Sequence, residues 1–218
     1  MMKKIEQSGT LSDKVYEAIK QEIVHGNLED NEALPEERLA KSLGVSRTPL
    51  REALRRLADE GLITEKRGSP ARVSSFSKEK SLEYMELRVL LEVYNMEKVA
   101  PVINDDVLQK LAINVEEQLI TLKQKKYHEF MDLDRDFHLL LASLNDNKEI
   151  ENSIRRLNTV TNRAFLLLSK TLPQSAMDAY EEHVDIIKAL KKRDVSLSTK
   201  MMSDHLNNII ERFLLYMG

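Results

Sequence analysis

The chain contains no cysteine and no tryptophan. Without thiols it forms no disulfide, carries no thiolate nucleophile and offers no sulfur to a metal. Glycine and proline are scarce, at 6 and 5 of 218 residues. So few breakers in a leucine-, glutamate- and lysine-rich chain predict a mainly helical fold. Aromatic residues make up only 5%, so the core must come from aliphatic side chains and methionine. No apolar run approaches the ~18 residues of a membrane span. The opening residues, MMKKIEQSG, also lack the apolar stretch of a secretory signal. A cytoplasmic chain without membrane attachment is expected.

What is present is unevenly placed. The formal net charge is -3, yet residues 38–72 hold nine basic side chains against four acidic ones, a local balance of +5. Local charge matters more than the total for nucleic-acid binding.

The periodicity around this basic stretch predicts a small domain. Val15, Ile19 and Ile23 recur at fours within a helix Leu11–Val24, with Ser12 a candidate cap and Gly26 its end. A short helix from Pro35 to Leu43 turns Leu39, Ala40 and Leu43 inward and breaks at Gly44. Ser46 or Thr48 can cap the next helix, and Pro49 suits its first turn. That helix runs to about Glu60, with Leu50, Ala53, Leu54 and Leu57 inward. Leu62–Lys66 and Ala71–Ser74 read as strands joined at Gly68-Ser69-Pro70. Helix, short helix, tight turn, helix and hairpin make a winged helix-turn-helix over residues 1–76, with Ser74–Ser77 as linker. Six amphipathic helices follow in residues 77–218, at about 78–99, 105–125, 127–144, 148–170, 175–191 and 195–216. Asn104 and Asn147 are caps for two of them, and Pro173 is a separator. Short connections between long helices imply an antiparallel all-helical bundle.

The third helix explains the basic charge. A helix fits the major groove, where arginine is the commonest reader of guanine edges. Arg47, Arg51 and Arg55 lie four apart and project together. Arg47 and Arg51 are expected at bases or the adjoining phosphates. Thr48 and the helix amino end are expected at a phosphate. Lys66 and Arg67 would approach from the wing. The bland alternative is a solvated helix face paired with Glu52 and Asp59.

Three of the five histidines sit on apolar helix faces. His138 accompanies Leu133, Phe137 and Leu141, His183 accompanies Tyr180 and Ile187, and His205 accompanies Met202 and Ile209. Asp134 stands one turn before His138. One carboxylate and three imidazoles suit zinc, nickel, cobalt, manganese or iron(II). Each histidine alone reads equally as a hydrogen-bonded core residue, and spacing across helices does not show convergence. Arg88 and Glu92, one turn apart, read as an internal ion pair, or Arg88 faces a ligand anion. A metal-dependent enzyme is the rival reading, but no further acid or base stands at a motif spacing.

These stretches resemble the GntR family of bacterial transcription regulators, in its FadR-like group with an all-helical FCD effector domain. VSRTPLREALRRLADEGLI is the most similar run, preceded by GNLEDNEALPEERLA and followed by RGSPARV in the wing. ELRVLLE, DRDFH with the later Asn147, EEH with Asp194, and MMSDHL extend the likeness through the second half. The resemblance implies a ligand-responsive, sequence-specific transcription regulator, a repressor rather than an enzyme, binding double-stranded operator DNA as a homodimer. It places DNA contacts at Arg47, Thr48, Arg51 and the Gly68 wing turn. It places a divalent metal, zinc first with nickel or manganese as alternatives, on Asp134, His138, His183 and His205. The implied effector is a small carboxylate or sugar acid. Two departures stand out. Asp30-Asn31 occupies the place of a usual Pro-Gly, and Glu37 that of an arginine that touches DNA, so no DNA contact from the second helix is expected.

Overall fold

The computed structural model describes residues 10–75, 77–168 and 172–216, apart from the side chains of 163–168, 172 and 216. The predicted helix end at 170 and the linker residue Phe76 lie outside the described residues. Two compact units divide the chain, Met1–Phe76 and Ser77–Gly218.

The first unit opens with α1 (Leu11–Val24). Its cap is Thr10 rather than Ser12. The Thr10 hydroxyl accepts from the Asp13 amide, and the Asp13 carboxylate accepts from the Thr10 amide, a reciprocal capping box. Ser12 is buried instead. After α1 comes β1 (Ala33–Leu34), a two-residue strand too short to leave a periodic signal. α2 (Glu36–Leu43) ends at Gly44, whose φ of 66° is left-handed. The expected inward Leu43 is 36% exposed. A helix of only two turns covers its neighbours along one edge and leaves its last turn in solvent. α3 (Arg47–Asp59) buries Leu50, Ala53, Leu54 and Leu57 against α1. Its N-cap is Ser46, without a side-chain cap bond, and Thr48 lies inside the first turn. The hairpin strands are β2 (Ile63–Thr64) and β3 (Ala71–Val73), shorter than predicted. β3 is central, antiparallel to both β1 and β2, with Ala33 opposite Arg72 and Ile63 opposite Val73.

The turn before β1 absorbs the Asp30-Asn31 departure. Asn31 takes φ 63°, and its amide donates to the Val73 carbonyl at 3.0 Å. Asparagine tolerates this region better than other residues with a Cβ.

The second unit is a bundle of α4 (Lys78–Val99), α5 (Asp105–Lys123), α6 (Tyr127–Ala142), α7 (Lys148–Leu168), α8 (Leu172–Lys191) and α9 (Val195–Tyr216). Asn104 caps α5 by accepting from the Val107 amide. Asn147 accepts from the Glu149 amide at the start of α7. Pro173 falls in the first turn of α8, where its missing N–H costs nothing. α4 packs against both α7 and α9, and α5 against α6 and α8. The core between them is aliphatic, with Met85, Met96, Leu111, Ile186, Met202 and Leu206 among its members, and Phe130, Phe137 and Phe213 as its aromatics.

The left-handed Asn31 gives a stability prediction. Asn31→Gly should leave thermal unfolding nearly unchanged. Asn31→Val should cost about 1–2 kcal/mol, read as a lower melting midpoint in scanning calorimetry. Equal midpoints for the two variants would mean that the turn relaxes out of the left-handed region.

Candidate metal centre and nucleic-acid interface

The bundle brings four of the predicted residues together. Asp134 and His138 come from α6, His183 from α8 and His205 from α9, and all four are buried. One ligand atom from each lies within 4.8 Å of the others. The His138 and His205 Nε2 atoms stand 3.2 Å apart, and His183 Nε2 is 3.6 Å from Asp134 Oδ1. Two nitrogens bound to one zinc at ~2.0–2.1 Å in a tetrahedral arrangement would stand about 3.3 Å apart. The spacing therefore fits one ion.

Hydrogen bonding at the other ring nitrogens sets which atoms face inward. His138 Nδ1 meets Glu92 Oε2 at 2.5 Å, and His205 Nδ1 meets Glu182 Oε2 at 2.7 Å. A carboxylate only accepts, so both Nδ1 atoms carry the proton. His183 reaches the same tautomer through a longer chain. The Leu133 carbonyl accepts from Asn114 Nδ2, so Asn114 Oδ1 accepts from Gln118 Nε2. That leaves Gln118 Oε1 to accept from His183 Nδ1 at 2.9 Å. As neutral ligands, the form a metal needs, all three imidazoles would turn an Nε2 lone pair to the centre they share with Asp134. Two such lone pairs 3.2 Å apart have no hydrogen bond to share. His183 Nε2 is buried with no hydrogen-bond partner. A cation between the four residues satisfies all of them, and this arrangement is the usual way a histidine ligand is oriented from behind.

The electrostatics agree. Burial and the neighbouring rings hold the His183 ring well below the ordinary imidazole range. Burial also lowers His205, against an opposing pull from Glu182. Both stay neutral and able to coordinate. Burial alone would raise the Glu182 carboxyl, but His205 and Arg212 bring it down to about 2. Arg212 donates to both Glu182 oxygens, at 2.7 and 3.0 Å. Phe137 stacks on His183 with ring centroids 4.2 Å apart.

Arg88 lies next to this centre and is 1% exposed. Its Nε donates to Glu92 Oε1 at 2.6 Å, the predicted ion pair. Glu92 therefore links Arg88 to His138, and Asn158 of α7 donates to the same Oε1. Arg88 Nη2 has no partner among the described residues. Sequence reasoning misses Gln118 and Glu182, and it finds Glu92 only as a partner of Arg88. Gln118 does leave a signal, since it is a polar residue at an inward position of α5 beside Leu111, Val115 and Leu122.

In the first unit the basic residues separate into two groups. Arg56 donates to Asp13 at 2.6 Å and lies over the Tyr16 ring, 3.9 Å from its centroid. The Tyr16 hydroxyl donates to Glu60, and Lys20 donates to both. These residues tie α1 to the end of α3. Arg47, Thr48, Arg51 and Arg55 instead face solvent. Arg51 pairs with Glu36 at 2.8 Å rather than with Glu52 or Asp59. Such an exposed pair is worth only ~0–1 kcal/mol, so phosphate or a base edge can replace Glu36. Lys66, Arg67 and Gly68 lie exposed in the wing turn. Gly68 takes φ 79° with no atom within 4 Å of a built Cβ, so its role there is conformational.

Known proteins carry the same two parts in the same order. The model of bacterial regulatory proteins of the gntR family matches residues 11–73, and the FCD domain matches residues 83–208. This chain belongs to the GntR family, in its FCD group. It is accordingly a DNA-binding transcription regulator. The HTH-type transcriptional repressor RspR of Escherichia coli K12 is 28% identical over 204 residues, covering 92% of this chain and 88% of that protein. The gluconate operon transcriptional repressor of Bacillus subtilis is 26% identical over 206 residues, covering 91% and 83%. Among solved structures, E. coli McbR/YncC superposes with a TM-score of 0.82 at 20% identity over 95% of this chain and 98% of that one, a likeness of fold. Among the described residues, no helix is long and apolar enough to cross a membrane.

The hydrogen bonds behind the histidines generate a second prediction. Glu182→Gln and Gln118→Ala should each weaken Zn²⁺ binding by about 10–100-fold in competition with a chelator. Unchanged affinity in both would show that the rings hold their orientation without these partners.

Proposed function

We propose that this regulator is a repressor that binds double-stranded operator DNA as a homodimer and responds to a small organic acid or sugar acid. Asp134, His138, His183 and His205 hold a divalent ion, zinc first by the chemistry of three nitrogens and one carboxylate, with nickel or manganese as alternatives. The observation that carries this reading is the convergence of three imidazoles whose Nδ1 atoms are already engaged. When bound, the ion supplies a positive centre for a ligand carboxylate. The spare Nη2 of buried Arg88 is a second donor for the effector anion. The gluconate operon repressor among the relatives supports a sugar acid as the effector class.

Arg47, Arg51 and Arg55 enter the major groove, Thr48 meets a phosphate at the α3 amino end, and Lys66, Arg67 and Gly68 bring the wing to the backbone or minor groove. Acting on DNA, the protein works in the cytoplasm. An enzymatic role is not favoured. Glu92 and Glu182, the carboxylates that back the histidines, are both committed to holding imidazole rings.

Two measurements test this reading. Native mass spectrometry of untagged protein, purified without chelator, should give a dimer with one metal ion per chain and release an organic acid. A chain that stays metal-free after supply of Zn²⁺, Ni²⁺ and Mn²⁺ would return the histidines to an ordinary core. Arg51→Ala should cost about 1–3 kcal/mol of operator affinity at fixed salt, measured by fluorescence anisotropy on a sequence selected from random DNA. Full affinity in that variant would remove Arg51 from the interface.

A further inference from the structure

Around Arg88 three buried polar atoms have no hydrogen-bond partner among the described residues. They are Arg88 Nη2, Asn158 Oδ1 and Asn162 Oδ1. Their residues are only 1%, 0% and 3% exposed, so bulk water does not serve them. Asn158 and Asn162 stand one turn apart on α7 and share a face. Thr161, beside Asn162, accepts from Arg88 Nη1 at 3.3 Å. The neighbours decide which amide atom is left over. Asn158 Nδ2 donates to Glu92 Oε1 at 2.9 Å and to the Ile154 carbonyl at 3.0 Å. Asn162 Nδ2 donates to the Met131 carbonyl at 2.8 Å. A carboxylate and a carbonyl only accept, so each amide turns its nitrogen to them and keeps its oxygen spare. The wall therefore offers one cationic donor and two neutral acceptors.

Charge narrows the ligand further. Arg88 is paired with Glu92, and Arg212 with Glu182. Neutral imidazoles add no charge, so Asp134 is the one left over at the centre. A divalent ion held there leaves a single positive charge in excess, where an unbalanced charge is costly. One carboxylate balances it. A second carboxylate overshoots, and it has nothing to donate to the two amide oxygens. An ammonium group would donate, but it cancels the charge that the carboxylate brings. A hydroxyl donates without adding charge. We propose that Asn158 and Asn162 select the effector: they accept hydroxyl hydrogens from a hydroxylated monocarboxylate whose carboxylate lies at Arg88. Acids without hydroxyls leave both buried oxygens unpaired, which makes a polar wall more discriminating than an apolar one. Dicarboxylates and amino acids fail on charge. This inference rests on the organic-acid sensor of the proposed function and narrows its ligand to one chemical class.

Isothermal titration of the full chain supplied with Zn²⁺ tests this with four series of acids of two to six carbons. They are alkanoates, hydroxy monocarboxylates from glycolate to gluconate, hydroxylated dicarboxylates from tartrate to glucarate, and amino acids. The best hydroxy monocarboxylate should bind about 10–100-fold more tightly than the other acids of its length. Asn162→Leu separates selection from metal binding, because the Asn162 amide nitrogen meets a backbone carbonyl rather than a group behind a histidine. It should weaken the hydroxy acids about tenfold and leave the alkanoates and the Zn²⁺ affinity unchanged. The preference of the parent protein is read independently of how well that variant folds. Alkanoates, dicarboxylates or amino acids that match the hydroxy monocarboxylates in the parent would overturn the selection and leave the organic-acid sensor standing. A full preference retained in Asn162→Leu would remove Asn162 from the selecting pair. Binding by none of the four series would remove the sensor and its selectors together.

Discussion

A buried imidazole that stays neutral has one nitrogen to donate and one to accept, and the bundle fixes which is which. Glu92, Gln118 and Glu182 take the Nδ1 protons of His138, His183 and His205. That choice turns three lone pairs to the centre they share with Asp134. It also explains why this helical core tolerates so many polar side chains. Each buried polar group behind the histidines is held by the next, through Arg88, Asn158, Asn114 and Arg212. All six helices of the bundle contribute to this network, so packing and ligand geometry are set by the same contacts. A half-satisfied polar network would be worse than an apolar core. Among the buried atoms left without hydrogen-bond partners are His183 Nε2 at the centre, which a cation would meet, and Arg88 Nη2 beside it, which an anion would meet.

The DNA-binding unit divides its positive charge by the same logic of commitment. Half-buried Arg56 and buried Lys20 pair with Asp13 and Glu60 beside Tyr16 and hold α1 to α3. Arg47, Arg51 and Arg55 stay outside and bind at most loosely to the protein. One helix thereby serves as a core element through its leucines and as a brace through Arg56, and keeps its remaining arginines in solvent, where the proposed reading surface lies.

Local spacing makes much of this legible in the amino-acid sequence. The helices of both units, the break at Gly44 and the basic hairpin follow from periodicity and breakers. Asp134 and His138 pair within a single helical turn. What escapes such a reading is short or non-local. β1 is two residues long, and it forms because β3 offers it a partner. Thr10 rather than Ser12 caps α1 because Asp13 answers it three residues on. Arg51 finds Glu36, fifteen residues away on another helix, rather than an acid of its own helix.

The sequence by itself determined the element order, the placement of positive charge on α3 and the identity of the four candidate metal-binding side chains, because each is written in local spacing. Only the tertiary structure decided that three histidines on three helices meet, which ring nitrogen each one presents, and that Glu92, Gln118 and Glu182 stand behind them. Those facts depend on how helices far apart in sequence cross, and on hydrogen-bond chains that pass from a backbone carbonyl on one helix to an imidazole on another.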